Sequence, residues 1–319
     1  MNFTVIPDNF APTDGGLVYG FDCGKTLHSA EVKIIDAASD EIRAVCRFTD
    51  TAHISIDIAP YVRKMMSPSP TDGHTGVSID CGRSAVVRLD IEGVRSDIRR
   101  YSMCGLGAGA GIFSTMPERR PIAYGEADEV TFYAPEGGTV TVTAQYPDGR
   151  ETREYEIAAS DEVQVFRLDT GDFRRGAASY AAAFALGDAT TALHYETVSR
   201  RAKSRRLSWL SSLGSIESYT FPVCRSRRLT VKKSRILSAD GYRTFGIDCE
   251  RTISLVSDYE PSAVIRALEE LLCSPSVRMT DGTRSIPVDV ITTECEISCD
   301  GGLNSIKAEV RPQTKEVRL

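Results

Sequence analysis

Period-two alternation runs through most of this chain, and it confines the fold to β-sheet layers. In residues 28–36 the apolar positions Ala30, Val32 and Ile34 alternate with Glu31 and Lys33, the pattern of a strand buried on one face. Residues 41–48 repeat it with Ile42, Ala44, Cys46 and Phe48, after the turn-forming Ala38-Ser39-Asp40. Residues 53–66 predict a short strand running into a single helical turn from Pro60 to Met66. A Pro- and Ser-rich loop follows at 67–76, and strands return over 84–93 and 94–103.

A second block begins after the glycine-rich residues 104–111. Residues 129–158 predict successive hairpins, with Glu136-Gly137-Gly138 and Pro147-Asp148-Gly149 supplying residues that tolerate positive φ. Strands are also predicted over 163–169, 179–188 and 191–199. The third block, from residue 200, holds the one convincing helix, over 261–273. Pro261 stands at its first position, Val264, Ile265, Leu268, Leu271 and Leu272 form its buried stripe, and Ser274-Pro275 stop it. Residues 291–299 alternate again, with Ile291, Thr293, Cys295, Ile297 and Cys299 on one side. Asp300-Gly301-Gly302 then turns the chain into 303–310. The expected fold is mainly β: two consecutive antiparallel sandwich-like domains, 1–104 and 105–199, then a β-rich domain with one α-helix, 200–319.

Charge is segregated along this frame. Residues 200–235 carry eleven Lys or Arg against one acid, Glu217, while the whole chain has a net charge of -6. The basic residues are Arg200, Arg201, Lys203, Arg205, Arg206, Arg225, Arg227, Arg228, Lys232, Lys233 and Arg235. Three readings stand: a phosphate-binding face, a solvated surface, and a face that meets the acidic body of a neighbouring subunit. The third is favoured, with nucleic acid the lesser alternative, because a pI near 5.4 argues against a surface wholly made for phosphates. Residues 225–235 alternate around Leu229, Val231 and Ile236, so they predict a strand with a charged face. Trp209, the only tryptophan, sits in the same block with Leu210, Tyr219 and Phe221. The spacing predicts that Trp209, Leu210 and Phe221 are buried and that Gly214 turns the chain between them.

Chemistry-bearing residues are sparse. The nine cysteines are an odd number, scattered singly, and are expected to be reduced thiols of a cytoplasmic product. Cys295 and Cys299 lie about 13 Å apart along a strand, too far for one zinc ion. His28, His53, His74 and His194 show no paired motif. The run 105–110 fits a loose GxGxxA pattern but lacks the following helix that a dinucleotide site needs. Ser114 and Ser208 lack a nucleophile elbow, and Asp128 and Glu129 read as a solvated edge. No signal peptide is expected at the start, and the longest apolar stretch, near residue 180, is too short to span a bilayer. No enzyme activity, cofactor, metal or membrane insertion is therefore expected.

The block Trp209-Leu210-Ser211-Ser212-Leu213-Gly214-Ser215-Ile216-Glu217-Ser218-Tyr219-Thr220-Phe221 resembles a family of tail-associated structural proteins from phages and prophages of gut bacteria. The family shows a similar Trp-Leu, a Gly, an acid and an aromatic-Thr-Phe ending, often with Asn at the place of Ser211 and Asp at that of Glu217. Asn9-Phe10-Ala11-Pro12 with the strands after it resembles the family's opening domain. Leu271-Leu272-Cys273-Ser274-Pro275, followed by residues 277–282 and Pro287-Val288-Asp289-Val290, resembles its closing domain. The resemblance implies a virion component of a tail, baseplate or injection apparatus, assembled in the host cytoplasm and binding its own copies and neighbouring tail proteins. A host-surface or carbohydrate-binding adhesin at the tail tip is the alternative.

Overall fold

The computed structural model describes residues 1–79, 82–103, 110–199, 204–281, 284–297 and 302–313. The chain is mainly β. Its first part holds β1 (Asn2–Val5), β2 (Val18–Asp36), β3 (Glu41–Asp57), the short helix α1 (Ala59–Met65), β4 (Gly76–Ile79), β5 (Ser84–Ile91), β6 (Val94–Arg95) and β7 (Arg99–Ser102). All of these strands except β4 form one six-stranded antiparallel sheet in which the long β2 is flanked by β3 along its length. β1 pairs with the start of β2 and β5 with its end. The sheet's core is the cluster in which Tyr19, Phe21, Val32, Ile34, Leu89 and Tyr101 meet Val62 of α1. The alternation of residues 28–36 is thus a buried-face pattern: Ala30, Val32 and Ile34 are fully enclosed.

The central part is a two-sheet sandwich built from β8 (Gly111–Phe113), β9 (Arg119–Ala123), β10 (Ala127–Tyr133), β11 (Gly138–Tyr146), β12 (Gly149–Ile157), β13 (Gln164–Asp169), β14 (Ser179–Leu186) and β15 (Ala189–Val198). One sheet has the order β4-β13-β10-β8 and the other β12-β11-β14-β15-β9. Phe132 and Phe166 from the first sheet each meet Phe184 of the second edge-on, with centroids 5.9 and 5.5 Å apart. Such contacts add about 0.5–1.5 kcal/mol each beyond area burial. The β11–β12 hairpin begins at Gly137, where φ is +79° and an added Cβ would lie 2.7 Å from the Ile157 carbonyl oxygen. Only glycine fits there. One pairing departs from the antiparallel expectation: β9 runs parallel to β15. The first boundary also shifts, because β4, taken from the loop-rich end of the first part, is an edge strand of the central sandwich.

The third part contains β16 (Arg205–Leu210), β17 (Ile216–Phe221), β18 (Val223–Ser238), β19 (Gly241–Val256), α2 (Ser262–Cys273), β20 (Val277–Asp281), β21 (Arg284–Val290) and β22 (Lys307–Pro312). They make a seven-stranded sheet in the order β17-β16-β20-β21-β22-β19-β18. α2 buries Val264, Ile265, Ala267, Leu268 and Leu271 against it, and Leu272 packs at the edge. Pro261 caps the helix one residue ahead of its first turn, where its missing N–H costs nothing. Residues 291–297 form no strand ladder, unlike the expectation for that stretch. Cys23, Cys46, Cys224, Cys249, Cys273 and Cys295 are free, and the other cysteines lie outside the described residues.

Candidate assembly surfaces: a buried charge clamp and a projecting ribbon

The Trp209 block forms the β16–β17 hairpin. Trp209, Tyr219 and Phe221 are enclosed in the core under α2, and Leu210 is buried at the hairpin's end. Gly214 has φ +78°, and its amide donates to the Ser211 carbonyl at 3.0 Å while the Ser211 amide donates to Ser215 at 2.8 Å. A Cβ on Gly214 would lie 2.8 Å from Met103 Cβ, so the turn packs directly on the end of the first part. Its neighbour Leu213 joins Phe10, Phe113, Tyr133 and Val163, one apolar cluster drawn from all three parts.

Beside this junction lies a charge cluster that the sequence reading missed. Arg206 is buried at 5% exposure and reaches Asp128 Oδ1 at 3.0 Å and Glu126 Oε2 at 3.4 Å. Arg120 takes the other Asp128 oxygen at 3.0 Å and Glu217 Oε2 at 3.5 Å. Tyr195 donates to Asp128 Oδ2, and Thr220 to Glu126 Oε2. Glu217 accepts from the Thr115 amide and the Ser215 hydroxyl. Burial pushes the Glu217 carboxyl above the ordinary carboxylate range, against the opposing pull of Arg120. Burial disfavours the Arg120 charge, yet Asp128 and Glu217 outweigh it and raise its guanidinium still higher.

Two expectations are corrected here. Asp128 and Glu129 are not a solvated edge: they are 2% and 4% exposed and point to opposite sides of β10. Glu129 takes Arg83 at 2.7 Å and the hydroxyl of Thr71, so it fastens the first part as Asp128 fastens the third. Arg205 and Arg206 are not surface residues for a neighbouring subunit or for phosphates, because both are buried within the chain. An unpaired buried charge is too costly to persist, so Arg206 marks an internal clamp. Arg200, Arg201 and Lys203 lie outside the described residues.

A lighter tether holds the 67–76 loop to the central sandwich. His74 Nδ1 lies 2.6 Å from Asp172 Oδ1, and the Thr75 amide donates to Asp172. The hydrogen bond to Asp172 raises the imidazole above its ordinary value. Burial would raise the Asp172 carboxyl, but the Thr75 amide and His74 outweigh it and hold it lower. The histidine's contribution is therefore present below its unfolded pKa and lost as pH rises through the elevated folded value. The aspartate's is lost as pH falls through its depressed one. In an NMR titration the His74 ring should titrate above about 6.5, and Asp172→Asn should return it there. A wild-type value at or below 6.5 would contradict the tether.

The remaining basic residues lie elsewhere. Arg225, Arg227, Arg228, Lys232 and Lys233 are exposed along β18. Among the described residues β18 pairs only with β19, and β19 is bonded to the rest of the sheet only through Ile253–Val256. Residues 226–252 thus project as a two-stranded ribbon. Its unsupported part, 228–238 against 241–252, reaches about 35 Å at roughly 3.3 Å per residue. Both faces are open. The expected strand with a charged face is present, but among the described residues no second layer covers its apolar side chains: Leu229, Leu237, Tyr242 and Phe245 are 56–77% exposed.

Among the described residues no group of three His, Cys, Asp or Glu side chains is placed to hold a metal ion, and no helix is long and apolar enough to cross a membrane. No protein-family model matches the sequence, and no curated protein matches it. A chain from the crystal structure of Dpr2 Ig1-Ig2 in complex with DIP-Theta Ig1-Ig3 is similar at 9% identity and a TM-score of 0.20, covering 100% of this chain and 90% of that one. At those values the similarity bears on neither topology nor function.

Proposed function

We propose that this chain is a structural, non-catalytic subunit of a phage tail, baseplate or related injection apparatus, assembled in the bacterial cytoplasm. The observation that carries the reading is the projecting ribbon 226–252, whose row of basic and apolar side chains nothing among the described residues covers. A body whose parts are fastened by buried ion pairs suits a subunit that must transmit force without changing shape. The likeness of the 209–221 block to tail-associated proteins supports the same reading. Its partners on this reading are other copies and adjacent tail proteins. Particles released from a strain carrying the gene, banded on a density gradient, should contain this chain in several copies per tail. Its absence from intact tails would overturn the proposal.

Exposed Tyr242 and Phe245 at the ribbon's far end favour a second reading, an adhesin that stacks aromatic rings on sugars at the tail tip. Glycan-array binding that Tyr242→Ala abolishes would select it.

A further inference from the structure

We propose that the ribbon is a docking arm that seats on an acidic groove, around Glu294 and Glu296, of a second copy of this chain. This rests on the self-assembly reading and specifies the contact. The ladder register places Leu229 opposite Arg251, Val231 opposite Cys249, Lys233 opposite Ile247 and Leu237 opposite Tyr242, all on one face of the ribbon. At the base of that face Ile253 is buried in the core beneath α2. The core pattern therefore continues for several residues beyond the helix that covers it. An uncovered apolar face with open strand edges marks an interaction site, and a lone two-stranded ribbon is marginal in water.

Charge selects the occupant. Residues 225–252 carry eight Lys or Arg and three Asp or Glu, a net of +5, so the rest of the chain stands at -11. Arm against arm would oppose like charges, whereas arm against body pairs opposite ones. Phosphate would satisfy the arginines, but it has no use for Leu229, Val231 or Ile247, and the acids Asp248 and Glu250 would repel it.

The groove has the counterpart pattern. Residues 291–297 continue past β21 on the side of β22 away from the arm, held by Ile291 N donating to Glu309 O and Glu309 N to Thr292 Oγ1. Half-buried Cys295 and Ile297 pack against the core, while Glu294 and Glu296 are exposed and form no ion pair among the described residues. Glu294 and Glu296 line a groove of about 420 Å³ together with Cys295 and with Lys307 and Glu309, which pair with each other. Glu294 and Glu296 put unpaired negative charge at the mouth of this groove, and that suits the basic edges of the arm. Because arm and groove lie on opposite sides of β22, a copy's arm leads away from its own groove and towards another's, a head-to-tail contact.

Charge exchange in the full chain tests this. Sedimentation at low salt should show wild-type self-association that weakens as salt is raised. Arg227→Glu/Lys233→Glu/Arg235→Glu, and separately Glu294→Lys/Glu296→Lys, should each weaken it about tenfold or more, since opposed like charges replace attracted ones. All these substitutions combined in one chain should restore association to near the wild-type value. Every changed residue is exposed, so circular dichroism should be unaltered. Failure of the combined chain to recover would place the arm's partner elsewhere. A wild-type monomer at all salts, or one that binds duplex DNA through the arm instead, would overturn the docking contact. Either result leaves the tail reading standing if the chain still bands with particles.

Discussion

Arg206→Met should lower the free energy of unfolding of the third part by about 3 kcal/mol, the low end of the range for breaking a buried ion pair. Methionine keeps most of the side-chain volume, so the loss is electrostatic. Asp128 Oδ1 would lose its partner, and Glu126 would keep only Thr220 and the Ala123 amide. The residual partners keep the cost from reaching the upper end near 5 kcal/mol. Arg120 and Tyr195 continue to serve the other Asp128 oxygen. Because the pair links β10 to β16, the variant should also loosen the junction of the central and third parts. Limited proteolysis should then cut between the central and third parts sooner than in the wild type. Combining Arg206→Met with Asp128→Asn should cost less than the sum of the two, because each removes the charge that the other would strand. A melting curve unchanged by Arg206→Met would show that the cluster does not hold the parts together.

This clamp was the feature least legible in the sequence, and the reason is physical. Arg206 and Asp128 are 78 positions apart, and no local pattern distinguishes a charge that will be buried against a distant partner from one that stays in water. Alternation assumes one wet face per strand. β10 is buried on both, because the first part covers Glu129 and the third covers Asp128. The opposite error occurred in β18, where alternation around Leu229 and Val231 implies a covering layer that the described residues do not supply. β4 has four residues inside a Pro- and Ser-rich stretch, too few to show a period. Residues 291–297 alternate well, yet the β21–β22 ladder they would extend ends at the Val290–Val310 pair. Where a second layer does exist the sequence pattern was sufficient: the inward positions of β2, β11 and β14, the stripe of α2 and the glycine turns all follow from periodicity and turn chemistry. The Trp209 block was legible for the same reason, since apolar residues on either side of Gly214 leave a hairpin as the simplest way to bury both arms.

Trp209→Ala should destabilise the third part by about 3–5 kcal/mol, as large-to-small changes in a core do. Trp209 is fully enclosed, among the largest such side chains in the molecule, and packs with Leu207, Tyr219, Phe221 and the buried stripe of α2. Removing the indole leaves a cavity that the β16–β17 hairpin and the helix cannot both close, because β16 is bonded to β17 on one side and to β20 on the other. Trp209→Phe should cost much less. Its cavity is smaller, and the buried Nε1–H, which has no acceptor among the described residues, disappears with the indole. An unsatisfied buried donor costs about 1–3 kcal/mol, enough to offset a good share of the lost packing. The order of stability should therefore be wild type, then Phe close behind, then Ala far below. As the only tryptophan, Trp209 reports the wild-type transition by itself: its emission should be blue-shifted when folded and shift red on unfolding in denaturant. The variants are followed by far-ultraviolet circular dichroism. A Phe variant as unstable as the Ala variant would mean that the indole ring's own shape and nitrogen are required, and that the packing argument is wrong.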